Sequence, residues 1–156
     1  MINISQVAHW EDRVGLLRSG SGETRIQKAL ASLSQIASYG LFPKAAQLFY
    51  AMQGLEAFYC EGVGDLRNQL ARKIRILLGD WPGKNNRIAK LYDFRSKYVH
   101  GSYCLEFSYF KGDPAPDYYS TLDEVEFAVA LLLASLQECI RKDATEIQYS
   151  TTISLE

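Results

Sequence analysis

Hydrophobic and polar positions recur along this chain with the three-to-four-residue period of amphipathic helices. From Thr24 to about Tyr39 the apolar positions are Ile26, Leu30, Leu33 and Ile36, and Gly40 supplies the stop. Pro43 suits the first turn of the next helix, which carries Ala46, Leu48, Phe49, Met52, Leu55, Phe58 and Tyr59. That helix is apolar nearly all round, so it is expected at the centre of the fold. Gly62 and Gly64 break the chain before a third helix from Asp65 to Leu78, with Leu66, Leu70, Ile74 and Leu77 on one side. Asp80-Trp81-Pro82-Gly83 reads as a turn, and a fourth helix opens near Asn86 and stops at Gly101. Thr121-Leu122-Asp123-Glu124 has capping-box spacing and is expected to open a long helix running to about Lys142.

The remainder is less regular. Residues 1–22 are weakly patterned, with Ser19-Gly20-Ser21-Gly22 as a linker or turn, and are taken as an N-terminal extension. Tyr103 to Phe110 is aromatic-rich and reads as extended, and residues 111–117 as a loop. The tail from Ile147 to Leu155 partly alternates and is expected to form a short strand or arm. The pattern therefore predicts an all-α bundle of about five helices over residues 23–145, with a tail over 146–156.

Composition narrows the class. With 156 residues, 47% hydrophobic and 22% charged, the chain suits one globular domain rather than a disordered one. The apolar run that starts at Phe127 falls far short of a membrane span, and the first residues show no basic-then-apolar leader. Cys60, Cys104 and Cys139 are scattered, with no Cys-x-x-Cys spacing, and His9 and His100 are the two imidazoles. No disulfide framework or metal centre is expected, and a reducing cytoplasmic setting is. The net charge of −1 hides an uneven distribution. Between Arg67 and Lys97 nine Lys and Arg residues face two acids, Asp80 and Asp93; from Asp113 to Glu146 eight acids face Arg141 and Lys142. The basic block is either a phosphate-attracting surface, with Arg72, Arg75 and Lys97 as RNA-binding candidates, or a helix face paired with the acidic C-terminal helix.

The sharpest candidate site is Leu91-Tyr92-Asp93-Phe94-Arg95-Ser96-Lys97-Tyr98-Val99-His100-Gly101. On a helical wheel at roughly 100° per residue, Arg95 lands inside the apolar arc of Ile88, Leu91, Tyr92, Phe94, Tyr98 and Val99. A guanidinium there needs a carboxylate, a polar pocket or a subunit seam, and Glu56, set in an apolar helix, is the obvious carboxylate. His100 reads either as a helix-end histidine facing the last carbonyls or as a general base.

This segment, with Leu48–Ala57 and Leu66–Gly79 before it, resembles the HEPN superfamily and, within it, the ApeA-like branch. The resemblance spans about Arg25 to Tyr103 and rests on an Arg, a four-residue spacer and a His: Arg95-Ser96-Lys97-Tyr98-Val99-His100. It implies a helical-bundle endoribonuclease that needs no metal or cofactor and acts as a homodimer in phage defence, toxin–antitoxin or stress response. An antitoxin or sensor protein is the implied partner. In that chemistry the ribose 2′-hydroxyl attacks, His100 removes its proton, and Arg95 offsets charge on the phosphorane-like transition state. Ser96 supports catalysis one turn from His100, and Glu56 orients Arg95 from behind. Arg95 and His100 sit about 140° apart on an ideal helix, a separation that two copies of the helix lining one cleft would bridge. The alternative is a non-catalytic HEPN module that binds RNA or a nucleotide, or scaffolds a defence complex.

Overall fold

The computed structural model describes residues 1–38, 44–62, 64–103 and 118–149. Among them the chain forms seven α-helices and no strand: α1 (Ile4–Val14), α2 (Leu16–Ser19), α3 (Arg25–Ser38), α4 (Lys44–Tyr59), α5 (Leu66–Leu78), α6 (Lys84–Val99) and α7 (Tyr118–Arg141). The all-α class follows directly. No helix among the described residues is long and apolar enough to cross a membrane.

Helix α4 is the axis of the bundle and touches α3, α5, α6 and α7. Its all-round apolarity explains this: Leu48, Ala51, Met52, Leu55, Phe58 and Tyr59 are fully buried although they point in several directions. Gly54 sits where α4 meets both α3 and α7. A Cβ there would lie 2.9 Å from the Leu132 side chain and 3.0 Å from Ser32 Cβ, so the bare backbone permits the close approach. Inside the same core the Tyr59 hydroxyl lies 2.6 Å from Ser135 Oγ, which in turn donates to Leu131 O, so both buried hydroxyls are satisfied.

Three readings of the pattern change. Residues 1–22, weakly patterned in the sequence, contain two helices, α1 and α2. The Asn3 side chain accepts from Gln6 N–H, while the Gln6 side chain accepts from Asn3 N–H, a reciprocal cap on α1. Trp10 is buried and its indole N–H donates to Ala144 O at 2.7 Å, tying α1 to the segment just after α7. Secondly, Thr121 does not cap α7, which starts three residues earlier at Tyr118. Its hydroxyl lies 2.6 Å from the Tyr103 hydroxyl instead, and Glu124 turns toward Arg87. Thirdly, of the tail expected as a strand or an arm, the described residues 147–149 form no strand. Tyr149 nevertheless packs on the bundle, its ring beneath the Lys73 ammonium at 4.4 Å and the Arg25 guanidinium at 5.8 Å. The Gly40 stop, the Pro43 start, the segment 104–117 and the tail beyond 149 lie outside the described residues.

Candidate functional site at the end of helix α6

Helix α6 reaches the site because its apolar stripe seats it against α4 and α5, with Ile88, Leu91 and Phe94 buried. Near its C-terminus an aromatic group fixes the last two turns. Phe94 meets Tyr103 edge-on at 4.8 Å, and Tyr98 lies 6.1 Å from Phe94 and 5.5 Å from Phe49 of α4. The helix then closes in a Schellman arrangement. Gly101 adopts a left-handed φ of 70°, Ser102 N–H donates to Lys97 O at 2.8 Å, and Gly101 N–H donates to Tyr98 O at 3.3 Å. His100 is the last residue before that reversal, its own N–H donating to Ser96 O at 3.0 Å. The cap thus sets where the imidazole leaves the helix. The His100 ring is exposed and has no side-chain partner among the described residues.

Arg95 is half-buried, and its Nε lies 2.9 Å from Glu56 Oε1 across the α4–α6 seam. The approach is close but off-axis, because Oε1 receives no well-directed hydrogen bond; the contact is an ion pair rather than a linear N–H···O bond. Glu56 is largely covered, with 16% of its side chain exposed, so its charge is felt strongly by what surrounds it. The Tyr92 hydroxyl adjoins the same carboxylate and lies 4.0 Å from Cys60 Sγ. Burial, with Cys60 and Glu56 adding to it, pushes the Tyr92 phenol far above its ordinary range, so Tyr92 is a neutral donor beside Glu56. Burial likewise raises the Cys60 thiol. The terminal nitrogens of Arg95 have no other partner among the described residues, so one edge of the guanidinium is held and the other is free.

The structure brings Arg95 and Glu56 together, but it records no contact between the Arg95 and His100 side chains. Ser96 is exposed, and its carbonyl rather than its hydroxyl meets His100. The three basic candidates separate. Arg72 and Arg75 share a groove between α5 and α6, whereas Lys97 pairs with Asp93 at 3.0 Å and borders a smaller cavity against α7.

The basic block as a whole also divides, in a way its local sequence does not announce. Lys73 and Lys84 are buried: Lys73 Nζ lies 3.2 Å from Glu61, and Lys84 Nζ 2.7 Å from Asp80. Arg87 joins the acidic helix, donating to Asp123 O at 3.2 Å and lying 3.7 Å from Glu124. No group of three or more His, Cys, Asp or Glu side chains that could hold a metal ion occurs among the described residues.

Compared with protein-family models, with curated proteins and with solved structures, this chain finds no match in any of the three. The functional reading therefore rests on its own residues.

Proposed function

We propose that this chain is a HEPN-type endoribonuclease domain that cleaves RNA through attack of the ribose 2′-hydroxyl, without a metal. The observation that carries the reading is the paired state of α6's last turns. Arg95 is oriented by Glu56 with its terminal nitrogens free, and His100 stands exposed at the capped helix end. Histidine suits proton removal near neutral pH, and a guanidinium held along one edge suits two phosphate oxygens at the other. His100 takes the 2′-hydroxyl proton, the oxygen attacks the adjacent phosphorus, and the 5′-oxygen leaves. The products are a 2′,3′-cyclic phosphate and a 5′-hydroxyl. Since an ideal helix separates Arg95 and His100 by about 140°, the proposal includes a homodimer in which two α6 ends line one cleft. Such an activity fits a defence or toxin–antitoxin setting, with an antitoxin or sensor protein as partner.

A second reading keeps the fold and drops the chemistry. The Glu56 carboxylate offsets the Arg95 charge with no substrate at all, which favours a non-catalytic module that binds RNA or a nucleotide or scaffolds a complex. Labelled RNA incubated in EDTA with the parent, His100→Ala and Arg95→Ala separates the two. Cleavage by the parent that both variants abolish, with unchanged circular dichroism, is expected. If His100→Ala cuts as fast as the parent, or the parent needs a divalent metal, the catalytic reading is wrong.

A further inference from the structure

A second basic feature lies away from the end of α6. Helices α5 and α6 are antiparallel neighbours joined by the turn at Pro82, and between them runs an open groove of about 460 Å³. Arg67, Arg72 and Arg75 line it from α5; Asn85 and Asn86 line it from the first turn of α6. Asp80 is the acid in the groove, and it is engaged by Lys84 at 2.7 Å, which removes one charge of each sign. Arg67 and Arg72 have no partner among the described residues, and Arg75 meets Asp80 only through its field. The groove therefore keeps an excess of three exposed guanidinium charges side by side on a concave surface, where their fields add.

The spacing says what kind of anion suits it. Arg67, Arg72 and Arg75 fan over about 140° of α5, yet all three line the groove, and they run eight helical steps along it, about 12 Å at 1.5 Å per residue. One phosphate cannot reach all three. A chain of phosphates spaced at roughly 3.4 Å along a stacked strand covers that length with three or four groups. The first turn of α6 adds direction: the Lys84 amide donates to Trp81 O at 3.3 Å, but Gly83 gives no side-chain cap and no acid stands in the turn, so the Asn85 and Asn86 amides and side chains remain available as neutral donors. Ala71 and Ala89 present little bulk on the floor.

We infer that the α5–α6 groove binds the sugar–phosphate backbone of a single RNA strand without regard to base sequence, as a site separate from Arg95 and His100. The choice of RNA rests on the proposed function; the choice of a phosphate chain rests on the row of arginines.

The test is fluorescence anisotropy of a labelled single-stranded oligoribonucleotide in EDTA, between about 50 and 200 mM salt. It uses the full chain carrying His100→Ala, so that the RNA stays whole. Adding Arg67→Gln, Arg72→Gln and Arg75→Gln together is expected to weaken binding by on the order of tenfold or more. The same change should lower the slope of log affinity against log salt by about two units, since each single-strand phosphate contact contributes about 0.7. Uridine-only and mixed-sequence strands should respond alike. A charge-matched control, Arg18→Gln with Lys28→Gln and Lys142→Gln, should change neither quantity. Should the triple variant misfold by circular dichroism, each single variant is expected to remove about a third of the slope change. Affinity and slope equal to the control, absence of RNA binding, or an arginine-dependent preference for anionic phospholipid vesicles over RNA would each overturn the inference. Parent cleavage, measured separately, keeps the two claims apart. Cleavage with groove-independent binding defeats this inference alone, and groove-dependent binding without cleavage defeats the proposed function alone.

Discussion

Arg95 Nε stands 2.9 Å from Glu56 Oε1, joining the last turns of α6 to the central helix α4. The carboxylate is more covered than the guanidinium, so the pair's chief effect is to hold Arg95 in one orientation. Its contribution to stability is small, because Arg95 remains partly in water.

Glu56→Gln keeps the shape of the carboxyl and removes its charge. Unfolding free energy should fall by less than about 1 kcal/mol, and a double-mutant cycle with Arg95→Gln should return a coupling of roughly 0.5–1 kcal/mol. If the proposed function holds, cleavage should drop much further than stability does, on the order of tenfold, since a loosened arginine loses transition-state contact. Arg95→Lys should be inactive, because an ammonium lacks the planar fork, whereas Ser96→Ala should lose less. Urea melts beside RNA-cleavage rates check these outcomes.

Gly101→Ala tests the cap that positions His100. No atom lies within 4 Å of the added methyl, so the cost is conformational rather than steric crowding. A left-handed alanine should cost about 1–2 kcal/mol, and Gly101→Asn clearly less, since asparagine tolerates that conformation. Thermal denaturation of the two variants gives the ranking directly. A neutral Gly101→Ala would mean that the helix end relaxes freely and does not fix the imidazole.

Gly54→Ala should be destabilising even though alanine is the better helix former. The gain of about 1 kcal/mol in propensity competes with a methyl 2.9 Å from the fully buried Leu132 side chain and 3.0 Å from Ser32 Cβ. Overpacking of that kind costs about 1–3 kcal/mol, so a net loss of roughly 1 kcal/mol is expected in chemical denaturation. Trimming the neighbour with Leu132→Val should recover part of that loss.

Alkaline pH should unfold the protein through its buried phenols. Burial raises Tyr59, Tyr92 and Tyr149 above the ordinary value near 10, and burial pushes the Cys139 thiol up to about 11. Above about pH 9 for the thiol and about pH 10 for the phenols, the unfolded chain has released protons that the fold still holds. The unfolded state then binds fewer protons, so stability is full below that window and declines as pH rises through it. Phenolate absorbance should therefore show these tyrosines ionising together with the loss of helical dichroism. Complete phenol titration with the helical signal intact would refute the assignment.

Helices α3 to α6 were legible because each combines a clear apolar period with a glycine or proline boundary. Helix α1 was not: Ile4 and Val7 are exposed, which weakens the periodic signal, yet Asn3 and Gln6 carried the capping spacing all along. The same spacing at Thr121 and Glu124 pointed to the wrong residue, since Tyr103 and Arg87 claim those side chains. Lys73 and Lys84 looked like members of a solvated row; for Lys73 the partners that bury it, Glu61 and the Tyr149 ring, are remote in sequence or lie off its helix. Arg95 could be matched to Glu56 because a lone carboxylate in an apolar helix needs a cation. In the proposed homodimer, the meeting of His100 and Arg95 would depend on a second chain, which periodicity within one chain does not encode.

The Trp10–Ala144 bond joins the first long helix to the residues that follow the last one. An ion pair between Arg13 and Asp143 runs beside it. Elements with few packing partners usually open independently and lose their amide protons to solvent early. Opening α1 breaks this bond and this ion pair to the turn after α7, so the two segments are expected to share one opening event and to exchange their amides as a single cooperative unit.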